Sequence, residues 1–260
     1  LSEHEALAAR IAAAFDTTEV VEPRPGELPT DQDASERLVD AIVARLGGVE
    51  AYKLGATIAA VRANLGVSRQ FFGPIPGNRV FADGEEVPAH LARQRGVECE
   101  YAFKLSRDLT PADAGIDRAG LLAAIGSVHA SIEIPGSRFS GLGAHGGFAL
   151  IGDTGAVGSL VVGSGEAVGD PARLDEAPVI LEVEGAEPFT GNASVIDGGA
   201  FGPLLAFVQT ALARGYSLKA GQVIASGSCT GYIEVPAGKL VTARFPAING
   251  VVTMRFAEPA

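Results

Sequence analysis

Two glutamates spaced two residues apart supply the first hint of chemistry. In Val97-Glu98-Cys99-Glu100-Tyr101-Ala102-Phe103-Lys104-Leu105, apolar and polar residues alternate, the pattern of a β-strand whose side chains point to opposite faces. Val97, Cys99, Tyr101, Phe103 and Leu105 then form an apolar face, and Glu98, Glu100, Ala102 and Lys104 share the other. Neighbours on one face stand roughly 6.5–7 Å apart at the backbone. Two carboxylates at that spacing repel each other unless a cation sits between them or one keeps its proton. An isolated pair of this kind reads most simply as a solvated strand face, and Glu182 and Glu184 repeat the spacing with nothing else beside them.

Glu133 sets the first pair apart. It stands in Ser131-Ile132-Glu133-Ile134, a β-prone run closed by Pro135-Gly136. A third carboxylate there can complete an oxygen-donor set for Mg²⁺ or Mn²⁺, which favour carboxylates and keep positions open for a chelating substrate. Lys53, in Ala51-Tyr52-Lys53-Leu54-Gly55, is a lone charge on an apolar strand. It either snorkels from a strand end or is a desolvated amine that moves protons.

These residues need a β-rich frame. Helices are expected at 2–16, with Ser2 and Glu5 as a capping box, and at 34–46, stopped by Gly47-Gly48. Three more are expected at 57–65, 119–128 and 202–214. Short β-prone runs fall at 52–54, 97–105, 130–134, 148–151, 160–162, 179–183, 222–226, 239–245 and 251–256. They do not alternate with helices as βαβ units, which argues against a doubly wound sheet. The sequence thus divides into an N-terminal helical segment, 1–48, and a β-rich core, 49–260, within a single catalytic unit.

Composition narrows the partners. Twenty basic against thirty-one acidic side chains leave a net charge of −11, which disfavours nucleic acid and anionic membrane surfaces. Only Cys99 and Cys229 are present, too few for a disulfide framework or a four-thiolate zinc site. The N-terminus carries acids early and lacks the basic start of a signal peptide, and no apolar run is long enough for a membrane span. A cytoplasmic location is therefore expected. The chain begins at Leu1, so further residues upstream are expected.

Several motifs weigh less. Gly141-Leu142-Gly143-Ala144-His145-Gly146 spells a dinucleotide fingerprint, but that needs a helix to follow, and Phe148–Ile151 reads as a strand. Cys229 and His145 could form a nucleophile–base pair, with only their types to support it. Cys99 faces the apolar side of its strand, and His4, His90 and His129 read as surface or helix-end residues.

Taken in order, Tyr52-Lys53-Leu54-Gly55, Phe71–Ile75 (FFGPI), Val97–Phe103 (VECEYAF), Ser131–Arg138 (SIEIPGSR), Leu150–Asp153 (LIGD) and Leu218–Ser228 (LKAGQVIASGS) resemble the 2-keto-4-pentenoate hydratase / 4-oxalocrotonate decarboxylase family of the fumarylacetoacetate hydrolase superfamily. The resemblance covers nearly the whole chain and implies an α+β fold. In it a mixed β-roll or barrel-like sandwich of the fumarylacetoacetase C-terminal type follows an N-terminal helical segment. It implies Glu98, Glu100 and Glu133 as ligands of Mg²⁺ or Mn²⁺, and Lys53 as the active-site lysine. Ser226, Gly227, Ser228, Asn78 and Arg138 would line the substrate site, the 226–228 turn offering backbone N–H groups to a substrate carboxylate.

Two departures stand out: Asn78 where hydratases carry an acid, and Gly141–His145 in place of a polar A-D-N-A-S segment. The implied activity is metal-dependent hydration of a small 2-hydroxy-dienoic or 2-oxo acid in aromatic-compound catabolism, by a homo-oligomer. A 4-oxalocrotonate-type decarboxylase is the runner-up and an acylpyruvate hydrolase third. A non-catalytic 2-oxo-acid-binding paralogue is the reading from a different class.

Overall fold

In the computed structural model, which describes residues 4–258, two amphipathic helices come first: α1 (Glu5–Ala13) and α2 (Gln32–Val43). Ser2 lies outside the described residues. His4 takes the N-cap of α1 without a side-chain cap bond. Asp31 accepts the Ala34 N–H at 2.7 Å, which starts α2 two residues before the expected Ala34.

Next come β1 (Ala51–Gly55), α3 (Ala59–Leu65), β2 (Phe71–Ile75), β3 (Val80–Ala82), β4 (Glu86–Val87), β5 (Gly96–Leu105), α4 (Arg118–Ala124), β6 (Ile125–Pro135), α5 (Gly147–Gly152) and β7 (Val157–Ala167). The chain continues through β8 (Val179–Val183), β9 (Phe189–Gly191), α6 (Gly202–Ala213), β10 (Val223–Ser228), β11 (Ile233–Glu234), β12 (Val241–Phe245) and β13 (Gly250–Phe256).

The large mixed sheet runs β2-β1-β10-β5-β6-β7-β3, with β11 added to β5; a smaller one runs β4-β13-β12-β8-β9. The alternation read in the sequence sorts the layers. Val97, Tyr101, Phe103 and Leu105 pack in one cluster with Phe207 and Val208 of α6 and with Phe245 and Val252 of the small sheet. On the opposite face, Ala102 and Ala225 pack with Leu7, Ile11, Phe15, Leu38 and Ile42 of the N-terminal helices. The acids therefore point to the face that α1 and α2 cover. This is the α+β, fumarylacetoacetase-type arrangement expected above.

Some elements differ from expectation. Residues 148–151 are not a strand but part of α5. A side chain at Gly147 would meet the Leu65 carbonyl at 2.2 Å and one at Gly152 would meet Leu38 at 2.9 Å, so close tertiary docking overrides a short ambiguous apolar run. The helix expected at 119–128 ends at Ala124, because Val128, Ala130, Ile132 and Ile134 are all buried core residues of β6. Phe71–Ile75 forms an unforeseen strand at the sheet edge, where Pro74 is tolerated. Among the described residues no helix is long and apolar enough to cross a membrane.

Candidate metal centre

Strand register brings the acids together. In the antiparallel pair β5–β6, Glu98 lies directly opposite Glu133, and Glu100 opposite Ser131. Directly opposed side chains have Cβ atoms about 4.5–5.5 Å apart, so 35 residues of separation along the sequence vanish in one rung. Each of Glu98, Glu100 and Glu133 offers a carboxylate oxygen within 4.8 Å of the others. Glu100 and Glu133 are each 1% exposed, whereas Glu98 is half-buried.

An irregularity in β10 supplies the neighbouring groups. Ala225 pairs with Ala102, but the next partner of β5 is Ser228, opposite Glu100. The shift lets Gly227 N–H donate to Glu100 Oε2 at 2.7 Å, and the Ser228 hydroxyl donates to Glu98. Gly227 has φ +117°, and a side chain there would meet Thr57 Oγ1 at 2.4 Å; only glycine serves.

Lys53 reaches the cluster from β1. It is 6% exposed and its Nζ lies 3.6 Å from Glu133 Oε1. Lys53 pairs with Ala225 and Ala225 with Ala102, a row of small residues that leaves room for the long amine. Gly73 and Gly155 do the same from the side: a Cβ at either would stand 3.4 or 3.6 Å from Lys53 Cε.

Burial makes this assembly hungry for positive charge. Desolvation raises all three carboxyls above the ordinary carboxylate range, against the pull of Lys53. The neighbouring Glu133 and Glu98 push Glu100 further up, and Glu133 is pushed up to about 8. Both Glu133 oxygens lack a hydrogen-bond partner among the described residues. Three converging acids, one cation and two orphaned buried oxygens suit a hard divalent ion with oxygen ligands.

The raised carboxyls also set a pH dependence. A group whose pKa rises on folding stabilises the protein fully below its unfolded pKa and loses that contribution as pH climbs through the folded value. For Glu133 the window runs from 4.5 to about 8. The metal-free protein is therefore expected to melt at progressively lower temperature from pH 5 to pH 8, and saturating Mn²⁺ should remove the decline. Calorimetric scans showing a rise over that window without metal would contradict the assignment.

Other residues expected at the site lie elsewhere or are otherwise engaged. Arg138 is fully buried and spends its guanidinium on Asp153 Oδ1 (2.7 Å), the Asp153 carbonyl (2.7 Å), Thr154 Oγ1 (3.0 Å) and the Val157 carbonyl. It holds the turn Thr154-Gly155-Ala156, all at positive φ, rather than presenting itself to a ligand. Asp153→Ala is expected to cost about 3–5 kcal/mol by stranding that buried charge, read as a lower denaturation midpoint.

Asn78 is exposed and donates to Asp16 Oδ1 at 2.9 Å, because the chain leaves the sheet after Ile75. Ser226 donates to the Tyr101 carbonyl at 3.0 Å, and the Gly227 N–H is committed to Glu100. The 226–228 turn therefore braces Glu100 through the Gly227 N–H.

The weaker motifs resolve simply. Glu182 and Glu184 pair with Arg244 (3.0 Å) and Arg255 (3.3 Å) on the surface. A helix does follow Gly146, but Gly141, Gly143 and Gly146 lie in a loop of left-handed glycines, not a strand-to-helix phosphate turn. Burial raises the Cys229 thiol, and His145 is exposed against Phe139; they form no nucleophile–base pair. Cys99 is core. His129 is not at a surface or a helix end but within β6, bonded to Ser127 and the Gly163 carbonyl.

Tyr232 escaped the sequence reading. β11 pairs Ile233 with Val97, so one step further Tyr232 comes level with Glu98. Its only sequence signal is the missing side chain of Gly96, over which its ring lies.

No protein-family model matches the chain. It is 30% identical over 195 residues to a 2-hydroxyhexa-2,4-dienoate hydratase of Comamonas testosteroni, covering 72% of this chain and 70% of that one. It is 26% identical over 255 residues to a 2-keto-4-pentenoate hydratase of Paraburkholderia phymatum, covering 95% of each. Among solved structures, 4-oxalocrotonate decarboxylase from Pseudomonas putida G7, complexed with magnesium and adipate, superposes with TM-score 0.85 at 21% identity, over 97% of this chain and 96% of the other. Fumarylpyruvate hydrolase from Pseudomonas aeruginosa, with Mn²⁺ and pyruvate, gives 0.60 at 14% identity over 80% and 89%.

Proposed function

Because the chain belongs to the 2-keto-4-pentenoate hydratase family, lyases of the fumarylacetoacetate hydrolase superfamily, we propose that it is a divalent-metal-dependent hydratase. Its substrate would be a 2-hydroxy-dienoate, the enol of a 2-oxo-alkenoate, in aromatic-compound catabolism. The observation that carries this reading is the convergence of Glu98, Glu100 and Glu133 beside the buried Lys53. Mg²⁺ or Mn²⁺ held by the three glutamates would supply positive charge beside the carboxylate and 2-oxygen of the bound acid.

The chain's own groups do the rest. Lys53 Nζ, nearly excluded from water and a cation beside Glu133, would give a proton to the carbon skeleton and then recover the proton of the 2-hydroxyl during enol–keto tautomerisation. Water then adds across the remaining double bond. Gly227 N–H fixes Glu100 and Ser228 fixes Glu98, so two acids keep their orientation through the cycle. The two buried free thiols, Cys99 and Cys229, are in keeping with a reducing cytoplasm.

Decarboxylation of a 4-oxalocrotonate-type diacid is the second reading, favoured by the likeness to a decarboxylase over nearly the full length of both chains. Incubation with Mg²⁺ or Mn²⁺ and 2-hydroxypenta-2,4-dienoate is expected to deplete the dienoate absorbance. No depletion with any divalent ion would sink the hydratase, and CO₂ release from oxalocrotonate would select the decarboxylase.

A further inference from the structure

Just past Lys53 and the end of β1 the chain turns sharply. Ala56 has φ +55°, in the left-handed region that a β-carbon disfavours. Backbone strain of this kind persists only where the surroundings over-determine it, and it gathers at functional sites. Three contacts hold it here. Arg62 Nη1 donates to the Ala56 carbonyl at 2.9 Å, the Asp197 N–H donates to the Thr57 carbonyl at 3.1 Å, and the Arg62 and Asp197 side chains pair with each other. α3, which carries Arg62, has no buried residue, so burial of that helix is not what bends the chain.

The turn places Thr57. That residue is 5% exposed and lies against Gly227, where a Cβ would stand 2.4 Å from Thr57 Oγ1. The Gly227 N–H holds Glu100 Oε2 at 2.7 Å, so covalent geometry keeps Oγ1 within about 8 Å of that carboxylate. The hydroxyl therefore borders the acid cluster. It makes no hydrogen bond among the described residues, nor is it one of the buried side-chain oxygens without a partner. Solvent, or a ligand in its place, reaches it.

The donors around it are spent. The Ser226 hydroxyl goes to the Tyr101 carbonyl, the Gly227 N–H to Glu100, the Ser228 hydroxyl to Glu98, and Lys53 pairs with Glu133. A carboxylate only accepts hydrogen bonds, and of these groups Thr57 is the donor left to meet one. We propose that Thr57 is a further binding residue of the site: its hydroxyl donates to the carboxylate of the bound 2-oxo acid, and the Arg62–Asp197 pair holds the strained turn that aims it. This rests on the reading that the three glutamates hold a metal and that the acid binds beside it. A turn fixed before the ligand arrives spares the cost of ordering it at binding.

Pyruvate, the smallest 2-oxo acid, tests this by calorimetric titration into the Mn²⁺-loaded protein. Thr57→Val keeps the shape that packs on Gly227 and removes the donor. It is expected to weaken pyruvate binding by about tenfold or more, the scale of a hydrogen bond to a charged group, with Mn²⁺ affinity close to the parent's. Thr57→Ser keeps the hydroxyl and should stay near the parent in both. Arg62→Met should weaken pyruvate binding in the same sense, and adding Ala56→Gly should restore it, since glycine takes φ +55° without strain. Unchanged pyruvate affinity in Thr57→Val, or an equal loss in Thr57→Ser, would overturn the assignment. Loss of Mn²⁺ affinity in Thr57→Val would overturn it too, by making the residue a support for Gly227 and Glu100. Parent affinity in Arg62→Met would remove the ion pair from the proposal. Pyruvate that binds the parent protein no more tightly with Mn²⁺ than without it would overturn the metal-centre reading, and this inference with it.

Discussion

Glu133→Gln is expected to weaken Mn²⁺ binding by more than about 100-fold, since changes to outer-shell groups alone cost about 10- to 100-fold. Among the described residues Glu133 has no hydrogen bond to replace, so the amide removes a charged ligand and loosens only the 3.6 Å ion pair with Lys53. Glu98→Gln should behave alike, whereas Glu182→Gln, on the surface with Arg244, should change nothing measurable. Calorimetric metal titration reads all three. Equal effects would show that the wrong pair of acids has been chosen.

The same substitution should stabilise the metal-free protein at pH 8. Glu133 sits directly opposite Glu98, and like charges so placed oppose folding. A variant that melts higher yet binds no metal is the signature of a site whose repulsion is kept for a ligand. Lower melting without metal would argue that Glu133 serves the fold.

Lys53→Met is expected to lower turnover by about 10²- to 10⁴-fold, the usual worth of a positioned acid–base group. Methionine keeps the buried methylene packing beside Gly73 and Gly155 while removing the amine. Because the three carboxylates remain, Mn²⁺ affinity should stay within a few-fold of the parent. Turnover within tenfold of the parent, with metal bound, would remove Lys53 from the chemistry. Loss of metal together with turnover would make it a counter-ion of Glu133.

Much of this was legible in the residues. The alternation from Val97 to Leu105 placed Glu98 and Glu100 on one face because a strand's period is two, and their companions on the other face are core. Glu133 and Lys53 could be nominated by type, but not placed, since register between distant strands depends on the whole sheet. Arg138 could be named but not assigned, because a buried arginine and a ligand-binding one look the same until its partner, Asp153, is located. The 148–151 run misled because four residues are too few for periodicity to decide. Tyr232 was invisible, since β11 is two residues long and its pairing partner lies far back in the chain.

The rung that joins Glu98 to Glu133 has a consequence for how the protein can change. The residues beside those acids, Val97, Cys99, Ile132 and Ile134, are each fully buried, so a slip of one residue would turn the carboxylates inside out along with the core. Loss of that register and loss of the ligand set are thus one event. β11 is under no such constraint: it is short and peripheral. Drift can retailor that strand residue by residue, while the acid cluster must be inherited whole.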